Sequence, residues 1–185
     1  MDKEDILNPL KAKKLIGMDA YFYDLVKLYN SRKLPKVMLI SGEKGLGKFT
    51  LINHFLNYIF SNETYNLKEK IIDENSSVYK NQLNGTFDNI IHLKNEGSKK
   101  TKIDDVRNLK TKLSKTPING NFRFVILDDV EKLNANSSNA ILKIIEEPSE
   151  NNYFILIDNQ EKDIIETIAS RCLKIKVFIN KIDKS

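Results

Sequence analysis

Residues Val37 to Phe60 hold a pattern that few folds can accommodate. An apolar run, Val37-Met38-Leu39-Ile40, has the length of a buried strand and stops at Ser41-Gly42. A loop carrying Gly42, Gly45 and Gly47 follows and ends in Lys48. Then Leu51, Ile52, Phe55, Leu56 and Ile59 recur at helical spacing. Strand, glycine loop, lysine and helix together are the layout of a phosphate-binding loop. Glycines let backbone N–H groups turn inward around an anion without a Cβ clash. The helix start adds unpaired N–H groups and the positive end of its dipole. Lys48 is placed to reach the outer phosphates. The pattern is incomplete: G-x-x-x-x-G-K calls next for a hydroxyl that holds Mg²⁺, and Phe49 stands there. Thr50 follows one residue later, turned by about 100° around the helix, so it cannot take over as that ligand.

The rest of the chain alternates helical and strand patterns. Asp19 is positioned to cap a helix reaching about Ser31, with Leu25, Val26 and Leu28 inward. Residues 61–87 are polar, with weak apolar spacing, and read as one or two short helices or a loop. Phe87 to Leu93 suggests a short strand, and Ile103, Val106, Leu109 and Leu113 a helix. Asp104 and Asp105 lie in that helix's first turn, and Lys110, Lys112 and Lys115 load its far end. Asn119-Gly120 signals a turn. Phe122–Leu127 reads as a buried strand, Ala140–Glu146 as a helix stopped by Pro148, and Tyr153–Ile157 as another buried strand. Ile164–Ile168 makes a short helix and Leu173–Phe178 a last strand. Strands separated by helices imply an α/β fold, a parallel sheet with helices on both faces.

Composition sets the outer limits. The 185 residues suit one domain, with 179–185 as the start of a linker. A chain of this size buries roughly 70% of its unfolded surface and so can own a core. A single cysteine, Cys172, leaves no intrachain disulfide and no cysteine metal cage. No apolar run approaches the ~20 residues of a membrane span. The opening MDKEDILNPLKAKK lacks a signal-peptide core, so a cytoplasmic protein with no membrane partner is expected. Thirty Lys and Arg against 25 Asp and Glu give a net charge of +5. That excess permits acidic partners, but an ordinary lysine-rich surface explains it equally. Lys99, Lys100 and Lys102 form the one tight basic cluster.

Four further constellations carry chemistry. In FVILDDVEKL, four apolar residues lead to Asp128, a place where a carboxylate orients Mg²⁺. Asp129 follows where rapid ATPases often place a water-polarising glutamate, and Glu131 reads as pointing elsewhere. The plainer reading is that both aspartates cap the next turn. At Asp158-Asn159 a polar side chain closes another strand, at the end where α/β sheets take ligands. A simple turn explains it as well. In Ser170-Arg171-Cys172, the arginine is either a surface ion pair or an arginine finger acting on a transferred phosphate. Cys172 opens a strand expected to be buried and reads as a small core residue. Glu146-Glu147-Pro148 ends a helix with two carboxylates opposing its dipole. Lys143 can offset them, or the pair faces a partner. His54 and His92 have no metal-ligand spacing to other groups and read as structural.

These segments resemble a known family. LIGMDAYFYDLVKLYNSRKLPKVMLISGEKGLGKFTL, IDDVRNL and FVILDDVEKLNANSSNAILKIIEEPSENNYFILIDNQEKDIIETIASRC stand in one unbroken order from residue 9 to about 178. They are similar to bacterial clamp-loader subunits of DNA polymerase III, and most of all to the delta-prime type. The resemblance implies a AAA+ P-loop domain over residues 1–178, with a five-stranded parallel sheet in the order 5-1-4-3-2. It implies membership of a ring-like pentamer that loads the sliding clamp onto primed DNA. Its partners would be motor gamma/tau-type and delta-type subunits, with the clamp and primer-template DNA reached through the complex.

The resemblance also implies ATP and Mg²⁺ as cofactors. Gly42, Gly45, Gly47, Lys48 and Thr50 would meet the phosphates, Ile16 and Gly17, after Leu15, would border the base, and Asn159 would sit near a sensor position. Asp128 would take the Mg²⁺ position, and Arg171 would be a finger reaching a neighbour's nucleotide. Phe49 and Asp129 depart from active motors, which favours a subunit with little or no hydrolysis of its own. Residues 61–93 lack the four cysteines of the zinc module many relatives carry, so no zinc is expected. Relatives continue into lid and collar domains that these residues do not include. Two alternatives share the loop: a self-contained P-loop ATPase or kinase, and a helicase-loader-type DNA adaptor using the Lys99–Lys102 cluster.

Overall fold

A computed structural model describes residues 8–94, 103–114 and 122–178. The Lys99, Lys100 and Lys102 cluster, Lys115, the Asn119-Gly120 turn and the 179–185 linker lie outside the described residues. In chain order the elements are α1 (Asp19–Asn30), β1 (Val37–Ser41), α2 (Lys48–Phe60), α3 (Ser77–Leu83), β2 (Ile90–Leu93) and α4 (Ile103–Leu113). There follow β3 (Arg123–Leu127), a 3₁₀ turn (Val130–Lys132), α5 (Ala135–Glu146), β4 (Asn152–Asp158), α6 (Glu166–Ala169) and β5 (Leu173–Lys176). They fall into two compact units.

The first unit comprises residues 35–44 and 88–177 and contains all five strands. The order is β2-β3-β4-β1-β5, and every pairing is parallel. This is the order the family resemblance implied. The strands between the edges read as continuous apolar runs because both of their faces are buried, as parallel sheets require. One face, with Val37, Leu39, Val125, Leu127, Phe154 and Leu156, packs with Val106 and Leu109 of α4, Ile141 and Ile145 of α5, and Ile168 of α6. Each such side chain contributes about 1.5–3 kcal/mol by leaving water. The register sets Leu93 opposite Leu127, and Ser41 opposite Asp158. The polar residues that close these strands therefore line up along one end of the sheet.

Two expectations fail locally. The helix read from Ala140 begins at Ala135, because Asn134 caps it, its side chain accepting the Ser137 N–H at 2.8 Å. The polar first turn has no apolar period to announce it, yet the cap satisfies an otherwise orphaned donor. Strand β5 is mostly exposed rather than buried, since it is an edge with one neighbour.

The second unit comprises residues 8–34, 45–87 and 178 and holds α1, α2 and α3. Its interior is aromatic: Phe22 meets Tyr58 and Tyr65, and Tyr29 meets Phe55, with ring centroids 5.7–6.3 Å apart. Asp19 does not cap α1; Met18 precedes the helix and no side chain caps it. Asp19 instead occupies the first turn, where the dipole favours it, and pairs with Lys70.

His54 is structural, as expected, and solvent-free. Its Nε2 lies 3.0 Å from the Ala12 carbonyl, which can only accept, so Nε2 carries the proton. Nδ1 then accepts the Tyr65 hydroxyl at 3.0 Å. Burial lowers its pKa to about 4, against a smaller opposing effect of the Ala12 carbonyl. The folded value lies below the ordinary 6.5, so this contribution is full above pH 6.5 and is lost as pH falls towards 4. About 3 kcal/mol of stability is expected to disappear across that window. Urea unfolding between pH 7 and pH 4 measures it, and His54→Gln should flatten the acid limb.

Candidate functional site

Strand β1 hands over to α2 through Gly42–Gly47. Gly45 and Gly47 have φ of +86° and +82°, a region L side chains rarely adopt. A Cβ on Gly45 would meet nothing within 4 Å among the described residues, so the backbone angle, not crowding, calls for glycine. Gly47 sits at the N-cap of α2 and no side chain caps that end. No acidic residue lies in the first turn either. A thirteen-residue helix thus begins with no carboxylate against its positive dipole end, a fit for a phosphate. Lys48, the first helical residue, is 3% exposed. Phe49 and Thr50 are half-buried beside it. Met18 Cε lies 3.9 Å from where a Cβ on Gly47 would stand, so the segment holding Ile16 and Gly17 reaches the loop's end. There Leu15 is buried and Ile16 is 76% exposed.

The sheet end carries a dense polar cluster. Asp128 continues β3, its N–H bonded to the Leu93 carbonyl at 2.9 Å. Its Oδ1 accepts the Asp129 N–H at 2.9 Å, and its Oδ2 lies 3.9 Å from His92 Nε2. Burial raises its pKa, but the His92 imidazole, the Asp129 N–H and the Asn159 amide outweigh this and hold the carboxyl below the usual range. Asp128 therefore stays ionised, as a cation ligand must. Among the described residues no group of three or more His, Cys, Asp or Glu side chains could hold a metal ion. Asp128 is the carboxylate at this sheet end that could hold a Mg²⁺ ion.

Asp129 is engaged on both oxygens. Oδ1 accepts from Asn159 Nδ2 at 2.6 Å, and Oδ2 lies 3.2 Å from Lys132 Nζ. The same Asn159 amide stands 3.4 Å from Asp128 Oδ1. Asp129 has a φ of +53° and occupies the N-cap of the 3₁₀ turn, but its side chain does not cap it. The cap reading thus fails for the Asp129 carboxylate.

Glu131 does not point elsewhere. It is buried, its Oε2 faces the Asn159 N–H at 3.3 Å, and burial raises its pKa. Lys132 also reaches Glu161 at 2.9 Å, and Glu161 binds Lys44 of the glycine loop at 2.7 Å. These two lysines draw the Glu161 carboxyl down to about 2. Asp158 Oδ2 accepts the Ser41 hydroxyl at 2.7 Å, and Gln160 Nε2 donates to Ser41 Oγ at 3.2 Å. The sequence reading missed Lys132 and Glu161. Lys132 stands three residues after Asp129 in a helical turn, a spacing that marks such pairs.

Arg171 stands just after α6. Its Nη1 donates to the Thr167 carbonyl at 2.7 Å, and its Nη2 meets Glu146 Oε1 at 2.6 Å. Lys143 was the expected partner of Glu146; the arginine takes that place because the turn after α6 comes up against the C-terminal end of α5. Cys172 is half-buried, with its thiol pushed up to about 11 by burial, so it is no nucleophile.

The chain is similar to known proteins. The family model described as "DNA polymerase III, delta subunit" matches residues 18–180. A DNA polymerase III subunit gamma of Buchnera aphidicola (subsp. Schizaphis graminum) is 28% identical over 92% of this chain and 46% of its own length. The delta-prime subunit of the same organism is 30% identical over 80% of this chain and 44% of its own length. The chain thus spans less than half the length of these curated relatives. Among solved structures, a Thermotoga maritima gamma subunit-related protein superposes with a TM-score of 0.56 at 22% identity. That match covers 85% of this chain and 47% of the other. The Thermotoga maritima RuvB branch migration motor gives a TM-score of 0.53 at 18% identity, over 92% of this chain and 49% of its own.

Proposed function

The chain belongs to the DNA polymerase III delta-subunit family of AAA+ clamp-loader proteins, and we propose from this that it acts as a delta-prime-type subunit of a clamp loader. In that role it helps place the sliding clamp on primed DNA, hydrolyses little or no ATP itself, and lends Arg171 to a neighbouring motor subunit. Gamma/tau-type and delta-type subunits are its partners, and the clamp and DNA are reached through the assembly.

One observation supports the low turnover above the rest: the two oxygens of Asp129 are taken by Asn159 and Lys132. A general base must offer a lone pair to the attacking water. An aspartate neutralised by an ammonium, with its other oxygen on an amide, offers little. Phe49 adds to this by removing a hydroxyl ligand for the cation. The nucleotide, when bound, supplies a triphosphate whose terminal bond is available for cleavage. The chain's own groups hold it: N–H groups of Gly45 and Gly47, the Lys48 ammonium, and Thr50 at the helix start; Gly42 shapes the loop, its own N–H already donating to the Asp158 carbonyl at 3.2 Å. Ile16 and Gly17 border the base. Asn159 serves as the polar sensor, and Asp128 as the one carboxylate for Mg²⁺.

Titration of the purified chain with a fluorescent ATP analogue, with Mg²⁺ or with EDTA, tests this. Affinity is expected to change by less than about threefold between the two. Turnover should stay below about 0.01 s⁻¹, two orders of magnitude under the low end of the ~1–10³ s⁻¹ typical of enzymes. Turnover in that ordinary range would overturn the reading in favour of a self-contained ATPase.

A further inference from the structure

Two motifs far apart in sequence meet in the fold. Glu146 ends α5 and Arg171 follows α6, yet Arg171 Nη2 and Glu146 Oε1 are 2.6 Å apart. We propose that Glu146 is a positioning residue for Arg171: it orders the guanidinium before any neighbour arrives. The inference rests on the reading of Arg171 as a finger and says how this chain presents it.

The geometry carries the case. A guanidinium has five N–H donors. Here one goes to the Thr167 carbonyl and one to Glu146, from two different helices. These contacts fix both ends of the fork, while 37% of the side chain remains open to solvent. The remaining N–H groups can meet a phosphate without either contact breaking. The C-terminal end of α5 adds its negative dipole, which favours a cation there. An exposed ion pair contributes little to stability. Its larger effect is on the freedom of a long side chain, which must otherwise be ordered each time it engages. Ordering one such chain at an interface corresponds to about 2- to 12-fold. Glu146 would act only through Arg171, since a carboxylate does not bind a phosphate, so this is a positioning role and not a catalytic one.

The test uses the full subunit assembled with its motor subunits, reading ATP turnover stimulated by clamp and primed DNA. Glu146→Ala is expected to lower kcat about 3- to 10-fold and leave KM unchanged. Glu146→Gln keeps an oxygen acceptor and should recover most of the loss. In an Arg171→Ala background, Glu146→Ala should add nothing. Thermal unfolding of each variant should match the parent. If Arg171→Ala lowers turnover and Glu146→Ala does not, the positioning role is wrong while the finger stands. An equal loss from Glu146→Ala with and without Arg171 would also overturn it, by showing an independent structural effect. A rise in kcat for Glu146→Ala would overturn it too, because Glu146 would then restrain the arginine. If Arg171→Ala itself leaves turnover unchanged, the finger reading has failed and this inference falls with it.

Discussion

Nucleotide affinity of the Lys48→Met variant is expected to fall by about two orders of magnitude, with little change in thermal unfolding. In the proposed function the ammonium at the start of α2 is the charged donor for the outer phosphates, and charge-assisted hydrogen bonds contribute about 1.5–3 kcal/mol each, or roughly 10- to 150-fold. Lys48 is nearly solvent-free, so truncation to alanine would also open a cavity and confuse binding with stability. Methionine keeps much of the aliphatic stem and removes only the charge. The loop's own N–H groups remain, because Gly45 and Gly47, not residue 48, carry the left-handed angles. Residual weak binding is therefore expected rather than none. Calorimetric titration with ATP measures the first quantity and circular dichroism the second. Affinity within threefold of the parent would remove the glycine loop from the ligand.

The fold and the loop were legible in the sequence for one physical reason. A parallel sheet buried on both faces leaves continuous apolar runs, and these are visible without any partner: Val37–Ile40, Phe124–Leu127 and Phe154–Ile157 each mark a strand. The residues that close them, Asp128 and Asn159, are equally visible, because chain order puts them at carboxyl ends. What those residues touch was not legible. Asp129 takes a left-handed backbone angle, which turns the following 3₁₀ segment and brings Glu131 towards Asn159. No local pattern announces a positive φ at an aspartate. The Lys132–Glu161 and Arg171–Glu146 pairs depend on the register of β4 against β3 and on where α6 lies against α5. Short-range charge spacing suggested Lys143 for Glu146; tertiary packing supplied Arg171 instead. Edge position decided β5, whose alternating Leu173-Lys174-Ile175-Lys176 reads as a strand but does not say how many neighbours it has.

Arg171→Ala in the assembled loader is expected to lower clamp- and DNA-stimulated ATP turnover by about 10³-fold or more. The magnitude is what separates the two roles this residue can have. As a surface ion pair with Glu146 it would contribute about 0–1 kcal/mol to stability, and its loss would shift the melting temperature slightly without touching turnover. As a finger it stabilises charge on a transferring phosphate, and a thousandfold loss corresponds to about 4 kcal/mol of transition-state stabilisation. The structure leaves both roles physically open to the same side chain, since the Glu146 and Thr167 contacts use only part of the guanidinium. Arg171→Lys sharpens the comparison. It keeps the charge and can still pair with Glu146, but it lacks the planar fork that grips two phosphate oxygens. Lysine should therefore keep folding stability at the parent's level and recover only a minor part of the turnover. Full recovery by lysine would mean that charge alone suffices. No loss in either variant would leave Arg171 as a tie between α5 and the turn after α6.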